Sequence, residues 1–208
     1  MKLYEFAPTR SIRVRWTLQE LGVPFESIVV KLTENEHRAP EYLRVNPAGK
    51  LPTLDDDGFV LTESAAIVRY LAEKFPEKRL WPTGLRERAE ADRWMMFVVT
   101  DIEQPLWRIA RHTFVYPETQ RIPADAEIAS REAKQMAQVL ERHMRDREFV
   151  AGNHVTVVDF VTAYTLDWAN EEKLLDDAPV LRGYMERMYA RPKAAMRISA
   201  ALEGIGMG

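Results

Sequence analysis

"NPAGKLPTL" runs from Asn46 to Leu54, and "TESAAI" follows from Thr62 to Ile67. The first stretch begins to read as a buried strand, yet it carries two prolines and a glycine. A proline inside a central strand forfeits a ladder hydrogen bond, so Pro52 argues for a strand edge or a special backbone turn. A cis Leu51-Pro52 bond resolves the conflict by leaving the Leu51 N–H and C=O facing outward, where an extended peptide could pair with them. A proline at the first position of a strand is the plainer alternative. The second stretch opens a helix whose first N–H groups lack internal partners and carry partial positive charge. A ligand carboxylate fits that end, with the Ser64 hydroxyl and backbone N–H as donors, and Glu63 beside it attracts an ammonium. Together they make a receptor for the head of an α-amino acid. The competing reading is that Thr62 and Glu63 only cap a helix.

Outward from these stretches the chain has two textures. Up to about residue 75 strands and helices alternate. "KLYEF" and "FESIVV" are strand candidates, separated by a helix with Val14, Leu18 and Leu21 on one face and stopped by Gly22 and Pro24. "LPTL" and "FVL" flank the Asp-Gly of "DDDG", which suits a tight hairpin. A helix through Ile67, Tyr70, Leu71 and Phe75 closes the region. The order is β-α-β, a loop with room for a short helix, then β-β-α. "FPEKRLWPTG" suits a linker, and beyond it the periodicity is helical. A long helix is expected over residues 86 to 114, kinked or divided at Pro105. Others are expected over 125 to 147, from 157, and near 179 to 190. "WMMFVV", Trp94 to Val99, is apolar all round, so it is buried on several sides or also meets a partner chain. Thr156 and Asp159 in "TVVDF" form a capping box. The expected fold class is α/β plus all-α, with domains at 1–79 and 86–208 and a linker at 80–85.

Composition removes several function classes. The chain of 208 residues has a net charge of −3, which gives no reason to expect a nucleic-acid or anionic-membrane partner. No apolar run is long enough to span a bilayer, and the amino terminus lacks a signal-peptide pattern, so a cytoplasmic protein is expected. Cysteine is absent, which closes thiolate chemistry by the protein itself. His37, His112, His143 and His154 show no metal-ligand spacing, "DDDG" lacks the alternating ligands of a calcium loop, and no metal is expected. The closing "GIGMG" reads as a tail, since no helix follows to make it a phosphate loop.

"NPAGKLPTL" followed by "ESAAI", after β-α-β and before an all-helical half, resembles a cytosolic glutathione S-transferase. "VPFE", "EHRAPEYLRVNP", "TVVDF" and "ARPKAAMR" fit the same pattern, so the resemblance covers almost the whole chain. It implies a thioredoxin-like first domain, an all-helical second domain, a homodimer, and a cis Leu51-Pro52 bond. Carried over by position, it implies that Glu63 and Ser64 hold the γ-glutamyl end of glutathione. The Leu51 backbone ahead of Pro52 would pair with the cysteinyl unit, and Lys50 and His37 would lie near the glycyl carboxylate. Lys50 suits that task as a cation for the second of glutathione's two carboxylates.

The same resemblance places the catalytic group in "APTRSIRVRW". A thiol of pKa about 8.5 is mostly protonated at neutral pH, and a hydroxyl, a helix amino terminus or a cation would each favour the thiolate. Thr9 falls where serine-type relatives carry their hydroxyl. Ser11 competes, although it also suits the N-cap of a helix starting at Ile12. Arg10 stands where a cysteine-type group has its cysteine; its guanidinium either supports the thiolate or is a surface charge. The departure from Tyr, Ser or Cys bears on catalytic strength. An electrophile pocket between the domains is expected from "QPLWRIARHTFVY", with Trp107, Arg108, Arg111, His112 and Tyr116; Trp107 and Arg111 share a helical side. The alternative for those two is core packing and surface charge.

Glutathione is thus the expected co-substrate, and its thiolate attacks a small hydrophobic electrophile. The alternatives are a non-catalytic glutathione-binding or interaction protein on the same scaffold, and a glutathione-dependent disulfide or peroxide reductase.

Overall fold

The computed structural model describes residues 1–206. Its first region runs β1 (Lys2–Glu5), α1 (Ser11–Leu21), β2 (Glu26–Val29), α2 (Pro40–Val45), β3 (Thr53–Asp56), β4 (Phe59–Leu61) and α3 (Ser64–Lys74). This is the expected β-α-β then β-β-α order. The four strands form one sheet in the order β2-β1-β3-β4. β1 and β2 are parallel, which requires a crossover that α1 supplies. The other two pairings are antiparallel. Asp57 and Gly58 join β3 to β4 with φ of 54° and 94°, and the Gly58 N–H donates to Asp55 Oδ1 at 2.7 Å. Two successive positive φ values match the twist of the flanking strands.

α1 and α3 pack on one another and on β1 and β3. Leu3, Val14, Leu18, Leu21, Leu54, Ile67, Val68 and Leu71 are fully buried there. Each such aliphatic side chain contributes about 1.5–3 kcal/mol relative to exposure, so the spacing that suggested these elements is also what holds them. Gly22 ends α1 in the left-handed region, its N–H donating to the Leu18 and Gln19 carbonyls.

The helical region comprises α4 (Leu85–Phe97), α5 (Gln104–Ala110), α6 (Pro123–Met144), α7 (Val157–Glu171) and α8 (Pro179–Tyr189). The expected single helix over 86–114 is instead α4 and α5 joined and followed by π-helical turns at Val98–Glu103 and Arg111–Val115. Pro105 lies in the first turn of α5, where its missing N–H is tolerated and the wide turn before it absorbs the disruption. Within "WMMFVV", Trp94, Met95 and Val98 are buried while Met96 is half exposed. The capping box of α7 is present: the Asp159 carboxylate accepts the Thr156 N–H at 2.8 Å, and further the Val150 N–H at 2.9 Å and the Tyr184 hydroxyl at 2.8 Å.

The chain divides into two compact units, one of Met1–Trp81 with the residues from Tyr189 onward, the other of Pro82–Met188. The carboxyl-terminal segment, expected with the helical domain, therefore belongs to the sheet-bearing unit. Arg191 binds the Glu20 carboxylate of α1 at 2.8 and 3.1 Å, and the Tyr189 ring lies 5.0 Å from Trp16. A further helix, α9 (Ile198–Gly204), was not expected from sequence; Gly204 of "GIGMG" closes it, while Met207 and Gly208 lie outside the described residues.

Candidate active site

Strand register decides which loops meet. β1 pairs Tyr4 with Thr53, and β3 pairs Leu54 with Leu61. β1 therefore ends beside the start of β3, and β4 ends on its other side. The loop from Phe6 to Ser11, the Leu51-Pro52 segment and the Thr62–Ser64 junction consequently lie at one end of the sheet. β2, parallel to β1, delivers the chain toward His37 at that same end.

The Leu51-Pro52 bond is cis. The ladder with β1 stops at Thr53, so Leu51 lies beyond it. The segment is held from behind: the Lys50 carbonyl accepts the Tyr42 hydroxyl at 2.5 Å and the Asn46 amide at 2.8 Å. Asn46 also donates to Thr53 Oγ1 at 3.1 Å, and its own carbonyl accepts the Ala48 N–H at 3.0 Å. Tyr42 and Asn46 are both buried, and burial pushes the Tyr42 phenol pKa up. They are the supports of the site that sequence reasoning missed, although Asn46 and Tyr42 both stand in motifs it singled out. A second cis bond, Ala7-Pro8, was likewise unanticipated.

At the start of α3 the capping reading does not hold. Glu63 occupies the N-cap position with φ 64° and ψ 107°, and no side chain caps the helix. Its carboxylate is exposed and makes no hydrogen bond or ion pair among the described residues. Ser64 is the first helical residue and is buried. Its Oγ accepts from Arg13 Nη1 at 3.2 Å. That acceptance leaves the Ser64 proton for donation elsewhere. Arg13, 1% exposed on α1, is a buried cation directly behind Ser64. Sequence gave one clue to it, an arginine on a helix whose neighbours Ile12, Val14 and Trp16 are core residues.

The loop after β1 also departs from expectation. Ser11 is not the cap of a helix starting at Ile12; it is the first residue of α1, and Arg10 holds the cap position without a side-chain cap bond. Thr9 performs the capping, its Oγ1 accepting the Ser11 N–H at 3.2 Å. The Thr9 and Ser11 hydroxyls are bonded to each other at 2.8 Å. Thr9 Oγ1 also donates to the Phe6 carbonyl. Arg10 is half-buried, and its carbonyl accepts the Arg13 N–H at 3.3 Å.

On the other side of Leu51, the Lys50 ammonium is exposed and unpaired among the described residues. Gly49 has φ 59°, and a Cβ there would come 2.8 Å from the His37 carbonyl, so only glycine lets the two loops touch. His37 is half-buried with Nδ1 lacking a partner. Burial, aided by Arg38, holds its pKa below the ordinary histidine value. Arg38, which sequence reasoning passed over, places Nη1 over Gly49.

On the helical unit, Arg108 is bound by Asp125 at 2.5 and 3.2 Å and by Glu132. This pairing raises the Arg108 pKa and holds the Asp125 carboxyl below its usual range. His112 Nδ1 accepts the Ile122 N–H at 3.2 Å, which puts its proton on Nε2, 3.2 Å from Asp125 Oδ2. Arg108 and His112 thus tie α5 and the π-turn after it to α6. Trp107 is 37% exposed. Arg111 makes no ion pair among the described residues; its Nη1 reaches the Tyr116 hydroxyl at 3.4 Å. A π-turn brings those two together, since the Tyr116 N–H donates to the Arg111 carbonyl five residues back. A groove lined by Thr100, Gln104, Glu132 and Met136 contains none of the expected acceptor residues.

The chain matches known proteins across both of its regions. The glutathione S-transferase N-terminal domain family matches residues 1–73, and the glutathione S-transferase C-terminal domain family matches residues 101–192. Glutathione S-transferase GST-4.5 of Xanthomonas campestris pv. campestris is 31% identical over 209 residues, covering 100% of both chains. Glutathione S-transferase F10 of Arabidopsis thaliana is 30% identical over 202 residues, 92% of this chain and 94% of that one. Among solved structures, glutathione transferase URE2P6 of Phanerochaete chrysosporium, in complex with oxidized glutathione, is 27% identical with a TM-score of 0.83, covering 99% of this chain and 96% of its own. The two domain matches and the relative that is 31% identical across the whole chain give one assignment: the chain belongs to the glutathione S-transferase family.

Proposed function

We propose that this transferase joins the thiolate of glutathione to small apolar electrophiles, working in the cytoplasm as a homodimer. The observation that carries the reading is an unpaired carboxylate, Glu63, beside a buried hydroxyl whose proton is available, Ser64, at an uncapped helix start. That pair suits an α-amino acid head with both charges matched. The Leu51 backbone suits the cysteinyl unit, and Lys50, with His37 and Arg38, suits the far carboxylate. Thr9 donates to the thiolate at the amino end of α1, which lowers the thiol pKa. Trp107, Arg111 and Tyr116 hold the acceptor, while Arg108 and His112 keep α5 seated on α6.

Two other readings have observations behind them. The Thr9 proton is engaged with the Phe6 carbonyl, which favours a binder without turnover. URE2P6 was solved with oxidized glutathione, which favours disulfide reduction by a bound glutathione thiolate displacing one sulfur, without a protein cysteine. Calorimetric titration with reduced glutathione, then turnover of a generic aryl halide and of a disulfide, separates them. Saturable binding with aryl transfer supports conjugation; binding with neither reaction supports the binder; no saturation at millimolar glutathione ends all three readings.

A further inference from the structure

The loop after β1 offers two hydroxyls for one task, and the structure joins them. Thr9 Oγ1 and Ser11 Oγ are 2.8 Å apart, and Ser11 is 1% exposed while Thr9 is half-buried. The Ser11 hydroxyl is engaged by both the Phe6 N–H and Thr9, whereas Thr9 is the more exposed of the two and the one that can reach a ligand. We propose that Ser11 is a positioning residue that acts on the glutathione thiolate only through Thr9. This rests on the thiolate lying against Thr9, as in the proposed function.

The proton inventory supports the assignment. A threonine hydroxyl has one proton and two lone pairs. Both lone pairs of Thr9 are taken by Ser11, one by its backbone N–H at 3.2 Å and the other by its hydroxyl. Because the single Thr9 proton lies on the Phe6 carbonyl, the bond between the two hydroxyls takes the Ser11 proton, and the Ser11 oxygen in turn accepts the Phe6 N–H at 3.3 Å. Only the Thr9 proton is left to move. It now rests on the Phe6 carbonyl, which also accepts the Thr9 N–H at 3.0 Å. That carbonyl keeps a partner when the hydroxyl turns to sulfur, so the exchange orphans no group. Donation into Thr9 Oγ1 by Ser11 also polarises its O–H and makes it the stronger donor. No proton leaves either side chain: the thiol loses its own proton to solvent, and Thr9 then donates to the sulfur.

The test is a double-mutant cycle read by the apparent pKa of bound glutathione, followed through thiolate ultraviolet absorbance. Ser11→Ala should raise that pKa by roughly 0.5–1 unit in an otherwise unchanged chain. In a Thr9→Val background the same substitution should move it no further; with Thr9 in place, Ser11→Thr, which keeps the hydroxyl, should leave the pKa where it is in the unaltered chain. Ser11→Gly replaces Ser11→Ala if the latter does not fold. An equal shift in both backgrounds, or none in either, overturns the assignment. Failure of the unaltered protein to bind glutathione sinks the glutathione reading and this assignment together. Binding with a thiol pKa indifferent to Ser11 sinks the assignment alone.

Discussion

Replacing Ser64 by alanine removes one oxygen and tests two interactions at once. Ser64 Oγ accepts from Arg13 Nη1 at 3.2 Å inside the unit and, in the proposed function, donates to the γ-glutamyl carboxylate. A hydrogen bond to a charged group is worth about 1.5–3 kcal/mol. Its loss should weaken glutathione binding by roughly 10- to 150-fold, at about 1.4 kcal/mol per tenfold. The same change leaves the Arg13 guanidinium, 1% exposed, without this acceptor, so the fold should lose about 1–3 kcal/mol. Calorimetry with reduced glutathione gives the first number and urea denaturation the second. Destabilisation with unchanged affinity would show that Ser64 only supports Arg13, and the amino-acid receptor would then be misplaced. Unchanged stability would refute the Arg13 bond itself.

Two further outcomes concern the helical unit. Asp159→Ala removes the carboxylate to which the Val150 and Thr156 N–H groups and the Tyr184 hydroxyl donate; about 3–5 kcal/mol of stability should vanish in chemical denaturation. His143 stacks on Trp94 at 3.9 Å, and burial lowers its pKa. The unfolded chain therefore takes up the proton first, and stability should fall as pH drops from about 6.5 through the lower folded value. A His143→Gln variant should lack that component of the pH profile, and an unchanged profile would count against it.

The fold was legible because its signals are local. The Asp-Gly hairpin, the Gly22 stop and the capping box of α7 each depend on a few adjacent residues whose backbone preferences agree with the tertiary result. The Leu51-Pro52 geometry was readable only with the family pattern, since on the residues alone a strand-start proline was the better explanation. Other features depend on distant partners. Arg13 meets Ser64 across 51 residues, and no helical periodicity announces that a buried guanidinium will find an acceptor there. The pairing of Thr9 with Ser11 turned a choice between residues into a network, a matter of side-chain direction rather than spacing. Arg108 and His112 were read as chemistry because acids on α6, Asp125 above all, could not be placed beside them. The carboxyl-terminal segment joined the first unit through Glu20 and Trp16, residues that look like ordinary positions on α1.

Glu63 separates folding from function most sharply. A non-glycine residue at φ 64° and ψ 107° costs on the order of 1–3 kcal/mol. The chain recovers none of that through the side chain, whose carboxylate has no partner among the described residues. A Ser, Thr or Asp cap in ordinary geometry would add about 1 kcal/mol. A stability argument therefore predicts a different residue here, and a ligand argument predicts this one: the strained backbone leaves the first N–H groups of α3 uncovered beside an unpaired anion. Glycine decides between them. Glu63→Gly relieves the strain but makes the unfolded chain more flexible, a penalty of about 0.4–1 kcal/mol, so the net effect should be stabilisation by roughly 1 kcal/mol. It also removes the ammonium partner at an exposed site, worth about 0.5–1 kcal/mol, so glutathione affinity should fall roughly two- to fivefold. A variant that melts higher and binds worse shows that the backbone is held for a ligand. One that melts lower refutes the strain, and one that melts higher with undiminished affinity refutes the carboxylate's role.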